Sequence, residues 1–162
     1  MRERPDAVIL TSYVDYTAVD SNANASAVVE GVAQAAKRIV AVGVSVLLIK
    51  TGPILLKHVP DCLAKEVARK PGSADLSACS TGKERALRKR GPADEAAAMY
   101  PAMRRLSFDD VFCENDPCLP VIGNVVAYRD MHQLTKEFAR SLAPALEKRL
   151  VEALPFLESA PE

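Results

Sequence analysis

The sequence has 162 residues, 49% hydrophobic and 26% charged, enough for one globular domain with a buried core. Its 21 basic and 21 acidic residues cancel, so no overall field draws it to nucleic acid or an anionic membrane. Aromatics are 5% with no tryptophan, which disfavours a base-stacking surface, and the longest apolar stretch, Ile39 to Ile49, is too short to span a bilayer.

The opening MRERPDAVIL has neither a signal-peptide hydrophobic region nor a small-residue cleavage site, so no export signal is expected in the chain. Ala7 to Ser12 (AVILTS) is a continuous apolar run, as in a strand covered on both faces. Asp20 to Asn24 can supply helix caps. Val28, Val29, Val32, Ala35, Ala36 and Ile39 then recur at helical spacing, and that helix should stop near Gly43. Val44 to Ile49 is rich in β-branched residues and reads as a second strand. Strand, helix and strand within about forty residues make a βαβ unit with parallel strands.

Pro53 and Pro60 bracket a short apolar stretch, and Asp61 to Lys70 can form one short helix. Lys70 to Thr81 is a loop by composition. Lys83 to Arg90 carries five basic residues and reads as a solvated helix face or loop. Pro92 suits the first turn of an Ala-rich helix through Met99. Leu106 to Asp110 is a strand candidate, Cys113 to Pro120 a tight loop, and Val121 to Tyr128 extended. Leu134, Phe138, Leu142, Leu146 and Leu150 fall four apart, predicting one long helix kinked at Pro144. Residues 1–154 are expected to form the domain, with 155–162 a frayed tail.

Nothing in the sequence calls for a cofactor. The Gly82-Lys83 pair lacks the earlier glycine of a phosphate loop, because that position is Ser77, and no G-x-G-x-x-G occurs. The four cysteines fall into two local sets, Cys62 with Cys79 and Cys113 with Cys118, which suits two disulfide loops in an oxidising compartment. Four free thiols, or a zinc site drawn from His58, Cys62, Cys113 and Cys118, are the alternatives.

The stretch Tyr128 to Thr135 (YRDMHQLT) lies where an extended segment gives way to the terminal helix. In parallel α/β proteins such loops gather catalytic groups. Asp130 and His132 are the residue types a serine esterase uses, the carboxylate orienting the imidazole and the imidazole removing the serine proton. The plainer reading is that Asp130 caps the following helix and His132 is simply exposed.

Cys113 to Leu150 (CENDPCLPVIGNVVAYRDMHQLTKEFARSLAPALEKRL) resembles the end of the SGNH domain attached to bacterial acyltransferase-3 membrane proteins. RPDAVIL, VSVLLIK with Thr51-Gly52-Pro53, and Pro60-Asp61-Cys62-Leu63 match in the same order, whereas Lys70 to Met103 matches weakly. The resemblance implies a flavodoxin-like three-layer α/β/α sandwich outside the cytoplasm. It also implies passage of an acyl group to a cell-envelope carbohydrate by a Ser nucleophile with His and Asp. Its implied partners are an acyltransferase-3 membrane domain, the N-terminal part of the SGNH domain, and envelope polysaccharide.

Two departures stand out. The Gly-Asp-Ser block and its strand do not occur in this sequence, and Ser12 follows a later family strand, not the nucleophile's. The family His falls at position 133, which is Gln133, and His132 is one residue early. At a helix start that displacement turns a side chain by about 100°. The parallel sheet is therefore expected to be incomplete, with an open apolar edge at Ala7 to Ser12. The expected function is the C-terminal portion of an SGNH-like O-acyltransferase or esterase domain, inactive alone. The alternatives are a non-catalytic glycan- or partner-binding module of the same fold, and an esterase with a rearranged site.

Overall fold

The computed structural model describes residues 5–11, 25–87 and 91–159. Ser12, the capping stretch Asp20 to Asn24 and the end of the basic run, Arg88 to Arg90, lie outside the described residues. In chain order the elements are β1 (Ala7–Thr11), α1 (Ala25–Ala41), β2 (Ser45–Ile49), α2 (Val59–Arg69), a 3-10 turn (Leu76–Cys79), α3 (Lys83–Ala86), α4 (Pro92–Met99) and β3 (Met103–Leu106). There follow α5 (Asp109–Phe112), β4 (Val121–Ile122), β5 (Val125–Val126), α6 (Lys136–Ser141), α7 (Ala143–Ala153) and a 3-10 turn (Pro155–Ser159). They fall into two compact units, one of Met1–Thr51, Lys89–Ser107 and Val151–Glu162, the other of Gly52–Arg88 and Phe108–Leu150.

The first unit is built on a parallel sheet of order β1-β2-β3. Ala7 pairs with Ser45 through to Thr11 with Ile49, and Val46 with Met103 through to Ile49 with Leu106. The expected βαβ unit is therefore present. The break after α1 is made by Gly43, whose positive φ of 75° ends the helix, its N–H donating to the Val40 carbonyl at 2.8 Å. Val29, Ala33 and Ala36 of α1 and Ala93, Ala96 and Ala97 of α4 close over Val46, Leu48 and Met103. The small residues of α4 permit this close packing. Leu47, on the other face of β2, is also fully buried, as a central strand covered on both faces requires. The result is a mixed α/β arrangement, a parallel three-stranded sheet flanked by helices. Among the described residues β1 and β3 are its two edges, and Ile9 of β1 is 47% exposed.

Three expected elements come out differently. The strand placed at Leu106 to Asp110 is instead β3, four residues earlier at its far end, followed by α5. Asp109 and Asp110 stand in the first turn of that helix, where carboxylates are favoured, and Phe108 and Phe112 are buried four residues apart. The extended stretch Val121 to Tyr128 folds back as an antiparallel hairpin of β4 and β5. Its turn residues, Gly123 (φ 56°) and Asn124 (φ 64°), both adopt the left-handed conformation that a two-residue hairpin turn demands. The single kinked helix is two helices. Thr135 caps α6 by accepting from the Phe138 N–H, and Leu142 separates α6 from α7. Pro144, lacking an N–H, sits in the first turn of α7, where none is needed.

The second unit has short helices and a two-stranded hairpin. Its buried interior includes Leu55, Val59, Phe112, Tyr128 and Phe138, with the Phe112 ring 6.2 Å from Tyr128 and 5.8 Å from Phe138. Gly52 lies close against this group, where a Cβ would stand 3.3 Å from the Phe112 ring and press on it. Two disulfides staple the unit, Cys62–Cys79 across 17 residues and Cys113–Cys118 across five. All four cysteines are thereby used, and the thiolates of the zinc alternative are not available to a metal.

Candidate active site

Asp130 and His132 both lie in the second unit, on a closed loop and not at a helix start. Tyr128 and Leu134 form an isolated antiparallel bridge, and the Arg129 N–H donates to the Gln133 carbonyl at 2.8 Å. The Thr135 N–H reaches the Ala127 carbonyl at 3.0 Å, and its hydroxyl donates to the Val126 carbonyl at 2.6 Å. Within this closure the Asp130 Oδ1 accepts the N–H groups of His132 and Gln133, each at 2.7 Å. An aspartate that binds the amides two and three residues on is a turn-former, which is why a polar loop holds one conformation here.

This arrangement corrects the sequence expectation in one respect. The cap of the following helix is Thr135, and Asp130 organises the turn before it. Residues 132 and 133 lie on this turn and not on a helix, so helical rotation does not set the angle between their side chains. The separation of the two side chains is set by the turn.

The His132 Nδ1 lies 3.6 Å from the Asp130 Oδ1, and both side chains are a little over one quarter exposed. Desolvation acts to raise the Asp130 pKa. It is outweighed by the Gln133 and His132 amides, then by the charges of His132 and Arg129, so the carboxyl titrates below its ordinary range. A fixed carboxylate thus stands beside an imidazole that solvent can reach, at a separation longer than a hydrogen bond.

Gln133, at the position where the resemblance puts a histidine, has its side chain engaged with Arg129. Its side-chain carbonyl accepts from the Arg129 Nε at 2.9 Å and Nη2 at 2.5 Å. The two side chains repeat the backbone closure between the same residues. This clasp was not anticipated, although Arg and Gln four residues apart are visible in the sequence. Tyr128 is fully buried beneath the turn, and burial pushes its phenol above the ordinary range.

His58, the other histidine, pairs with Asp61 at 3.1 Å at the start of α2. Cys62, Cys113 and Cys118 are held in disulfides, so the structure does not gather the four residues of the zinc alternative as ligands.

The sequence matches the SGNH domain (fused to AT3 domains) over residues 1–148. The chain belongs to this family. The fold agrees. The periplasmic domain of a lipopolysaccharide acetyltransferase from Salmonella ser. Paratyphi A superposes with a TM-score of 0.61 at 15% identity, over 91% of this chain and 57% of that one. This SGNH chain thus spans little more than half the length of that neighbour. No curated protein matches its sequence. Among the described residues, no helix is long and apolar enough to cross a membrane.

Proposed function

We propose that this SGNH chain is the acid–base half of an O-acyltransferase or esterase domain working on cell-envelope carbohydrate outside the cytoplasm. The observation that carries the reading is the Asp130–His132 pair, held on a closed turn. Membership of a family fused to AT3 domains supports an acyltransferase-3 membrane domain as partner, and the two disulfides suit an oxidising compartment.

In this mechanism the nucleophile is the serine of a Gly-Asp-Ser segment that this sequence does not contain. The His132 Nε2 takes the serine hydroxyl proton as the serine oxygen bonds to the acyl carbonyl carbon. The donor's leaving group departs with that proton, leaving an acyl-serine. A carbohydrate hydroxyl then attacks, His132 taking its proton and returning it to the serine as the ester bond breaks. Asp130 orients the imidazole and stabilises its charged form. The chain by itself is inactive on this reading, since the serine nucleophile belongs to a segment that this sequence does not contain.

The test is hydrolysis of p-nitrophenyl acetate by the chain alone and by the chain joined to a Gly-Asp-Ser segment from a family member. The expected result is background activity alone and His132-dependent activity when joined, the His132→Ala change costing about 10²–10⁴-fold. Equal activity of the joined protein with and without His132 would refute the assignment.

A second reading, a non-catalytic module binding a glycan or a partner strand, is favoured by the β1 edge, where Ile9 is exposed and no strand pairs among the described residues. Retention of the chain by envelope polysaccharide or by a strand peptide, without any His132-dependent chemistry in the joined domain, would select it.

A further inference from the structure

The turn carrying Asp130 and His132 is held from outside by the segment between Pro53 and Pro60, and that segment is itself tied by the Ala86 carbonyl and by one buried side chain. Its N–H groups alternate in direction as in an extended strand. Ile54 donates to the Ala86 carbonyl at 3.0 Å and Leu56 to the Thr81 hydroxyl oxygen at 3.0 Å. Leu55 donates the opposite way, to the Met131 carbonyl at 2.8 Å, and Val59 to the Asp130 carbonyl at 3.2 Å. Leu55 and Val59 are fully buried, so the strap cannot drift without exposing them.

Thr81 is 3% exposed and is one of two buried polar or charged residues among those described. Its own position is doubly set. Its N–H and carbonyl pair with the carbonyl and N–H of Cys118 at 3.1 and 2.9 Å, and Cys118 is bridged to Cys113. A disulfide, a two-bond backbone bridge, a buried hydroxyl and a strap thus lead in turn to the carbonyls of Asp130 and Met131.

We infer that Thr81 is a positioning residue for the Asp130–His132 pair, acting through its hydroxyl on Leu56 and through Leu55 and Val59 on the turn. The inference rests on the pair being the functional one, but its test does not use activity. Thr81→Val keeps the branched shape and removes the acceptor, whereas Thr81→Ser keeps the acceptor. In the labelled full chain, Thr81→Val is expected to speed Leu56 amide exchange at least tenfold. It should also shift the His132 and Gln133 amide signals and alter their pH titration. Thr81→Ser should restore both, with Val46 and Leu48 of β2 unchanged in every case. Native exchange of the unaltered chain is the second measurement. Leu55, Leu56, Val59, His132 and Gln133 should open with one common protection. A folded Thr81→Val chain with unaltered His132 and Gln133 signals, or independent opening of the strap and the turn, would overturn the inference. A joined domain without His132-dependent chemistry would instead strike the proposed function and with it any catalytic consequence of Thr81, whereas unaltered turn signals in Thr81→Val would strike the Thr81 coupling alone.

Discussion

Asp130 does two things with one oxygen. It binds two amides, which fixes the turn, and it places a negative charge beside His132. Because its folded pKa lies below the unfolded value of about 3.9, the fold favours the carboxylate, and this stabilisation is present above that pH and lost as pH falls through the folded pKa. Replacing Asp130 with Asn should therefore lower the thermal midpoint at pH 6 and leave it little changed at pH 2. Melting curves across that range check this, and an equal deficit at both ends would contradict it. Gln133 is engaged with Arg129, so Gln133→Ala should loosen the turn by about 0.5–1.5 kcal/mol without removing the base. In the joined domain it should retain most of the activity that His132→Ala abolishes. The residue types of the pair were visible in the sequence, as was the Gln at 133. Their geometry was not, because it depends on amides folding back onto a carboxylate within a loop.

At the scale of elements, runs of apolar residues with strong periodicity were legible, and short segments governed by single residues were not. β1, α1 and β2 follow as elements from AVILTS, the valine and alanine spacing and VSVLLI, but only β2 is buried on both faces: β1, expected to be covered likewise, is half-buried with Ile9 exposed. The hairpin of β4 and β5 turns on Gly123 and Asn124, the start of α6 on the Thr135 cap, and the α6–α7 break falls at Leu142 just before Pro144. There the apolar period of four runs unbroken through a helix boundary: Phe138 of α6 is buried and Leu146 and Leu150 of α7 are half-buried, while the backbone restarts after Leu142. Thr135→Ala should cost about 1 kcal/mol by chemical denaturation, because it leaves the Phe138 amide unpaired. Gly123→Val should cost more than a similar change at an exposed helical site, since its φ of 56° is strained for a β-branched residue. Equal costs at the two sites would show that the turn tolerates another conformation.

Across the whole molecule the two units are stabilised by different means. The first relies on a sheet and small-residue helix packing, the second on aromatic contacts and both disulfides. In a chain-entropy account a 17-residue loop contributes about 3 kcal/mol and a five-residue loop less. Reduction should therefore raise amide exchange throughout Gly52–Arg88 and Phe108–Leu150 before it affects β2. Uniform loss of protection would mean that the units unfold as one. Among the described residues β1 is one edge of the sheet, with Ile9 exposed, and Ile9→Lys there should reduce self-association measured by sedimentation, as charges on edge strands do. The central claim is that this chain holds the base and a Gly-Asp-Ser segment beyond it holds the nucleophile. The most direct measurement is labelling by a fluorophosphonate, with the modified residue located by mass spectrometry. The account predicts no labelled serine within these 162 residues, and labelling of the Gly-Asp-Ser serine in the joined domain that His132→Ala abolishes. A labelled serine inside this chain, with the label dependent on His132, would contradict it.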